Sequence, residues 1–116
     1  KEQMQESQKN HKYKPTYIII KQGKKIVGFI GYSKSRINYR IHEIFSLIIH
    51  PDHEKKGFGT KLLKETIKKI KSLKRHKKDD SIILITTFKE KYFKKFGFKS
   101  ISKIRDNNAR VMSLHL

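Results

Sequence analysis

A single carboxylate, Glu43, stands inside the apolar run Ile41-His42-Glu43-Ile44-Phe45-Ser46-Leu47-Ile48-Ile49, and after Pro51 comes a glycine turn, Glu54-Lys55-Lys56-Gly57-Phe58-Gly59-Thr60. A carboxylate held among apolar neighbours has its pKa raised toward neutrality, where it can exchange a proton. As an exposed strand residue, the same Glu43 would make no more than a surface ion pair. In the turn, Gly57 and Gly59 let the backbone approach an anion without Cβ obstruction. Lys55 and Lys56 add positive charge, and the helix that follows begins with unpaired N–H groups. On spacing alone this is either a phosphate site or an ordinary glycine turn before a helix. It matches neither phosphate loop in common use: no Gly-Lys-Ser or Gly-Lys-Thr follows, and the third glycine of the dinucleotide pattern is missing. The chain has no cysteine, so disulfides, thiolate metal sites and a cysteine nucleophile are excluded, and any thiol in the chemistry comes from a cofactor. The six histidines show no metal-ligand spacing and are expected at the surface, with no metal bound.

The elements that must position these residues follow from hydrophobic periodicity. Tyr17 to Lys21, the turn Gln22-Gly23-Lys24 and Ile26 to Tyr32 predict a β-hairpin, followed by a polar loop from Ser33 to Arg40. His42 to Ile49 predicts a central strand in which alternation puts Glu43, Phe45, Leu47 and Ile49 on one face and Ile44, Ser46 and Ile48 on the other. A helix from about Thr60 carries Leu62, Leu63, Thr66, Ile67, Ile70 and Leu73 as an apolar stripe, with Lys61, Lys64, Lys68, Lys69 and Lys71 around the rest. The basic run Lys74 to Lys78 and Asp79-Asp80 lead to a strand, Ser81 to Thr86, which reads as buried on both faces and parallel to the strand before the helix. Thr87-Phe88-Lys89-Glu90 has capping-box spacing for a short helix bearing Phe88, Tyr92, Phe93 and Phe96, closed by Gly97. Two last strands, Lys99 to Ile104 and Arg110 to Leu116, turn at Asp106-Asn107-Asn108. Residues 1–14 read as a polar tail and residues 15–116 as one α/β (α+β) domain with a central sheet and flanking helices.

The charge is the other strong feature. With 29 Lys+Arg against 10 Asp+Glu, the net charge is +19, which attracts polyanions such as nucleic acid or phosphorylated cofactors. The excess is nearly all Lys and comes with an excess of Ile, as an adenine- and thymine-rich coding sequence produces without selection for binding. No apolar run reaches the ~20 residues that span a bilayer, and the start has no signal-peptide centre, so a soluble intracellular protein without membrane contact is expected.

Three runs carry a family resemblance. Glu54 to Gly59 resembles the [Gln/Arg]-x-x-Gly-x-[Gly/Ala] signature of the GNAT acetyltransferase superfamily, and Tyr92-Phe93-Lys94-Lys95-Phe96-Gly97-Phe98 resembles its second signature, a short helix ending in Gly-Phe. Together with Ile41-His42-Glu43-Ile44-Phe45 and Lys56-Gly57-Phe58-Gly59-Thr60, they are most similar to the histone acetyltransferase branch named general control nonderepressible five, with its p300/CBP-associated-factor relatives. The resemblance covers about residues 17–116.

The resemblance implies the GNAT fold, a mixed but mostly antiparallel sheet with flanking helices, and acetyl-CoA as cofactor. It implies Glu43 as general base for direct attack of a lysine amine on the thioester. It implies that backbone at Leu47, Ile48 and Ile49 pairs with the pantetheine arm. Glu54, Lys55, Lys56, Gly57, Phe58, Gly59 and Thr60 would hold the diphosphate, with Tyr92 beside the thiol end of the cofactor. Phe93 falls where other superfamily members keep a general-acid tyrosine, and Glu54 stands where the signature has Gln or Arg. The function implied is a lysine N-acetyltransferase acting on histone tails in the nucleus, alongside coactivator-type complex subunits. The alternatives are an acetyltransferase for a small amine or a non-histone protein, with the cytoplasm as its place, and a basic non-catalytic module making nonspecific nucleic-acid contacts through Lys68 to Lys78. The run Lys74-Arg75-His76-Lys77-Lys78 also has the composition of a nuclear import signal.

Overall fold

The computed structural model describes residues 2–6, 15–35, 38, 40–74, 80–103 and 109–116. Seven strands form one sheet in the order β1-β2-β3-β4-β5-β7-β6. They are β1 (Glu2–Glu6), β2 (Thr16–Gln22), β3 (Lys25–Lys34), β4 (Ile41–Ile49), β5 (Ile82–Thr87), β6 (Lys99–Lys103) and β7 (Arg110–His115), with helices α1 (Phe58–Ser72) and α2 (Glu90–Lys94). Every neighbouring pair is antiparallel except β4 with β5, which are parallel and joined through α1. This is the mixed, mostly antiparallel sheet with flanking helices that the sequence implied.

α1 lies on β2, β3 and β4. Its buried residues, Phe58, Leu62, Leu63, Thr66 and Ile70, recur at three- and four-residue spacing, while Lys61, Lys64, Lys68, Lys69 and Lys71 are exposed. The stripe meets Ile18, Ile20, Val27, Ile30 and Ile44 from the sheet, a set of side chains almost wholly removed from water. The buried Thr66 hydroxyl donates to the Leu62 carbonyl at 2.9 Å, so it enters the core without an unmet hydrogen bond. α2 adds Phe93, stacked edge-on against Phe98 with ring centres 5.6 Å apart.

Several expectations are corrected. Residues 2–6, expected within a polar tail, form an edge strand paired with Thr16–Gln22 from Glu2↔Gln22 to Glu6↔Ile18, because the free edge of β2 offers a hydrogen-bond ladder that Glu-Gln-Met-Gln-Glu has little propensity to seek alone. The remainder of that tail, most of the basic run after Lys74 (residues 75–78), Asp79, Ile104 and the turn at Asp106-Asn107-Asn108 lie outside the described residues. β5 is buried on one face only: Ile83 and Ile85 enter the core, while Ile82 and Leu84 are half-buried. The capping box does not form. Thr87 ends β5 and accepts from the Lys89 N–H at 2.9 Å, Lys89 precedes the helix without a side-chain cap, and Glu90 turns toward Ser100 instead.

The largest correction concerns the faces of β4. β3 and β4 pair Gly31↔Ser46 and then Tyr32↔Ile44, so Phe45 is one residue too many on its strand. Such a bulge shifts the alternation by one residue, and every side chain beyond it changes face. Ile44 lies in the core before the bulge, and Leu47 and Ile49 pack on the same core after it. Glu43, Phe45 and Ile48 are exposed. Glu43 therefore does not share a face with Leu47 and Ile49.

Candidate active site

β4 and β5 are paired only from Ile41↔Ile82 to Ile44↔Ile85. Beyond that point β4 stays with β3, β5 stays with β7, and the two strands part. The parting opens a cavity of about 680 Å³, whose walls include Phe45 to Ile49 of β4, Thr86 and Thr87 of β5, the turn before α1, and Tyr92 of α2. A strand edge that has lost its neighbour keeps N–H and C=O groups available to an extended amide chain.

The floor of the cavity is the turn from β4 into α1. Pro51 opens a short 3-10 turn, Pro51–His53, in which the His50 ring accepts from the Asp52 N–H at 3.2 Å. The His50 N–H donates to the Val27 carbonyl at 2.7 Å, fastening the end of β4 to β3. Lys55 and Gly57 both have positive φ, 62° and 83°. Two left-handed residues this close fold the backbone into a concave turn of the kind that gathers N–H groups. α1 starts at Phe58, earlier than its apolar periodicity suggests, with Gly57 as an N-cap that offers no side-chain acceptor. The first turn of α1 thus has no side-chain cap for its N–H groups, and its residues line the cavity at the positive end of the helix dipole.

Of the residues singled out from sequence, Leu47, Ile48, Ile49, Glu54, Lys55, Gly57, Phe58, Gly59, Thr60 and Tyr92 line this one cavity. Lys56 does not. Glu43 lies instead in a neighbouring recess of about 330 Å³ with Phe45, Leu84, Thr86 and Val111. Of the apolar neighbours expected around Glu43, Ile44 and Phe45 line the same recess and Ile41 does not, and the Glu43 side chain is exposed. Phe45 and Thr86 line both spaces, so Glu43 stands beside the mouth of the cavity at the point where the strands part.

Three features escaped the sequence. The Thr60 and Tyr92 hydroxyls meet at 2.9 Å across 32 residues of chain, bracing α1 against α2. Phe88, expected on the short helix, precedes α2 instead and lines the cavity, 73% exposed. Among the described residues, His42 is buried, and His53 is half-buried against the cavity. His53 stands on the cavity wall between His50 and Phe58, with ring centres 5.8 and 6.0 Å away, and its Nδ1 has no partner. Burial, then Lys56 and Lys25, lower its pKa. His42 is 3% exposed on the core face of β4 and neither ring nitrogen has a partner. Burial first and Lys34 second lower its pKa to about 4. A signal for His42 was present, since it alternates with the buried Ile44. Among the described residues no group of three or more His, Asp or Glu could hold a metal, and no helix is long and apolar enough to cross a membrane.

A sheet whose central parallel pair opens over a glycine turn and a helix start is the arrangement of the GNAT acetyltransferases. The pattern of the acetyltransferase (GNAT) domain matches residues 14–100, and the chain belongs to that family. Acetyl-CoA is the family's acetyl donor. The fold is similar to that of the PaiA N-acetyltransferase of Thermoplasma acidophilum, solved in complex with coenzyme A, at a TM-score of 0.70 and 19% identity over 88% of this chain and 61% of that one. It is similar to an acetyltransferase from Thermus thermophilus at a TM-score of 0.68 and 14% identity over 88% and 64% of the two chains. A third neighbour is the ribosomal-protein-S18-alanine N-acetyltransferase of Escherichia coli, with a TM-score of 0.71 and 15% identity over 92% and 71%. This chain therefore spans less than two-thirds of the Thermoplasma and Thermus proteins. No curated protein sequence matches it significantly.

The residues present fit the cofactor. An unpaired strand edge suits the amides of a pantetheine arm, and an uncapped helix start behind a concave turn suits a diphosphate. Gly59 fits the signature's Gly-or-Ala position, because a Cβ there would sit 3.7 Å from the Tyr92 oxygen and 3.8 Å from Ile49, in ordinary contact.

Proposed function

We propose that this chain is an acetyl-CoA-dependent N-acetyltransferase for the lysine side chain of a protein, with Glu43 as general base. The observation that carries the reading is the position of Glu43, an exposed carboxylate beside the mouth of the cavity, on the strand whose next six residues line that cavity. When bound, acetyl-CoA supplies the activated thioester. The rest falls to the protein. A lysine ammonium, with a pKa of about 10.4, has no lone pair for attack until it gives up a proton. Glu43 accepts that proton, while the apolar walls given by Phe45, Leu84 and Val111 receive the methylene stem of the acceptor. The open edge of Leu47 to Ile49 holds the arm straight and offers N–H groups to the carbonyl that becomes negative during attack.

The likeness of the three sequence runs to histone acetyltransferases supports a histone tail as the protein acceptor and, with it, action in the nucleus. A second reading, a small amine or a non-histone protein acetylated in the cytoplasm, is favoured by charge: a chain of +19 repels a polycationic tail. The E. coli neighbour is named for a ribosomal-protein acceptor, which sits with this second reading.

Glu43→Gln tests the role of the base. Turnover should fall by about 10²- to 10³-fold while the affinity for coenzyme A stays unchanged, and normal turnover would remove Glu43 from the chemistry. Acetylation assays with histone-tail peptides beside uncharged peptides and short aliphatic amines then choose the acceptor.

A further inference from the structure

The cradle contains a mismatch: Glu54, a carboxylate, lines the cavity at the place where the family signature has Gln or Arg. A donor is missing and a negative charge has been added. We propose that Tyr92, which the resemblance put beside the thiol end, compensates here as a positioning residue: its hydroxyl orients that of Thr60 so that the pair adds one O–H donor to the N–H groups at the start of α1, directed at the cofactor's diphosphate. The inference rests on the reading that the cavity holds acetyl-CoA.

The geometry is specific. The two hydroxyl oxygens are 2.9 Å apart and both residues line the cavity. Thr60 is the third residue of α1, and the Lys61 N–H that follows it is already engaged by the Gly57 carbonyl at 3.1 Å. The last N–H of the first turn with no intrahelical acceptor is therefore that of Thr60 itself, and its side chain stands beside it. Each hydroxyl has one proton to give. The phenol is the stronger acid and the better donor, so Tyr92 donates to Thr60, and the Thr60 proton is left for an acceptor in the cavity. A hydroxyl that accepts one hydrogen bond donates a stronger one, and donation to an anion is worth about twice that to a neutral group.

Tyr92 is held for this purpose from two sides. Its ring stands edge-on to Phe93 at 5.1 Å and tilted against Phe96 at 5.2 Å. The helix beneath is tied down at Glu90, whose carboxylate accepts from the Ser100 hydroxyl at 2.7 Å and pairs with Lys94 at 3.2 Å and Arg110 at 3.6 Å. Those partners, Ser100 first and Lys94 next, hold the Glu90 carboxyl below the usual carboxylate range. α2 is thereby fixed to β6 and β7, and Tyr92 reaches α1 from a rigid base.

Calorimetric titration with coenzyme A and with pantetheine, which has the arm but no phosphates, tests the proposal. Tyr92→Phe and Thr60→Val should each weaken coenzyme A by about 5- to 20-fold, leave pantetheine unchanged, and together weaken coenzyme A no more than Thr60→Val alone. Thr60→Ser, which keeps the hydroxyl, should restore the affinity. Unchanged coenzyme A binding by Tyr92→Phe overturns the proposal, and so does an equal loss for pantetheine, since the pair would then serve the arm or the fold. Wild-type protein that binds no coenzyme A would instead overturn the cofactor reading itself and take the proposal with it. If thermal unfolding shows that Tyr92→Phe does not fold, the contrast between Thr60→Val and Thr60→Ser decides.

Discussion

The two halves of β4 each carry two isoleucines and differ in what they pair with. From Ile41 to Ile44 the strand is paired on both edges, with β3 on one side and β5 on the other; from Phe45 to Ile49 it is paired on β3 alone. The paired half sends Ile44 and His42 into the core, and the open half forms one wall of the cavity. Ile content does not separate them, with two isoleucines in each. Pairing does, and the bulge at Phe45 marks the change. Stability should therefore reside in the first half and ligand binding in the second.

Removing core volume from the paired half is the strongest way to break this contrast. Ile44→Ala should cost about 2 to 5 kcal/mol, the usual price of a cavity under a close-packed stripe, and show as a lowered denaturant midpoint. A loss below 1 kcal/mol would mean that the sheet closes around the gap and that the paired half is not the anchor.

A titration can sharpen the same contrast without touching packing. His42, in the paired half, has its pKa lowered from 6.5 to about 4. Above pH 6.5 the ring is neutral in both the folded and the unfolded chain and contributes nothing to pH dependence. Between pH 6.5 and 4 the unfolded chain takes up the proton first, so stability falls as the pH falls, by about 3 kcal/mol in all at about 1.4 kcal/mol per unit. Below that both states are protonated and the loss stops growing. Denaturant titrations across this range should show the fall, and His42→Leu should flatten most of it. An unchanged slope in His42→Leu would assign the acid sensitivity to the carboxylates.

What the sequence made legible and what it hid divide along similar lines. The α1 stripe, the glycine turn and the existence of β4 are local patterns, and each residue's duty is set by neighbours within a few positions. The bulge is not local. It depends on which residue of β3 faces which residue of β4, and alternation alone therefore carried Leu47 and Ile49 to the wrong face. The Thr60–Tyr92 contact joins residues 32 apart, and no period links them. β1 forms on the edge of β2 against its own weak propensity, and so looks like tail. His42 differs from these: the strand period puts it on the face of buried Ile44, against the usual place of histidine near the surface.

Within the turn, Gly57 separates backbone need from space. A Cβ there would meet nothing within 4 Å, yet φ is 83°, so Gly57→Ala should cost about 1 to 2 kcal/mol from the left-handed conformation alone. The strain can be relieved by turning the first N–H groups of α1 away from the cavity. The prediction is a modest drop in thermal midpoint together with weaker coenzyme A binding, and unchanged binding would show that the turn is not a ligand of the diphosphate.

The smallest effect on stability comes from the open half of β4. Ile48 is 53% exposed on the cavity wall, and its truncation removes little that was buried on folding. Ile48→Ala should thus leave the denaturant midpoint nearly unchanged, within about 0.5 kcal/mol, while removing apolar surface that an arm lying along the strand edge would cover. Coenzyme A affinity should fall by about 3- to 10-fold, as expected for losing one or two buried methylene contacts. Paired with Ile44→Ala on the same strand, this variant turns the contrast into a measured one. If Ile48→Ala lowers stability as Ile44→Ala does, the two halves share one duty and the bulge at Phe45 divides nothing.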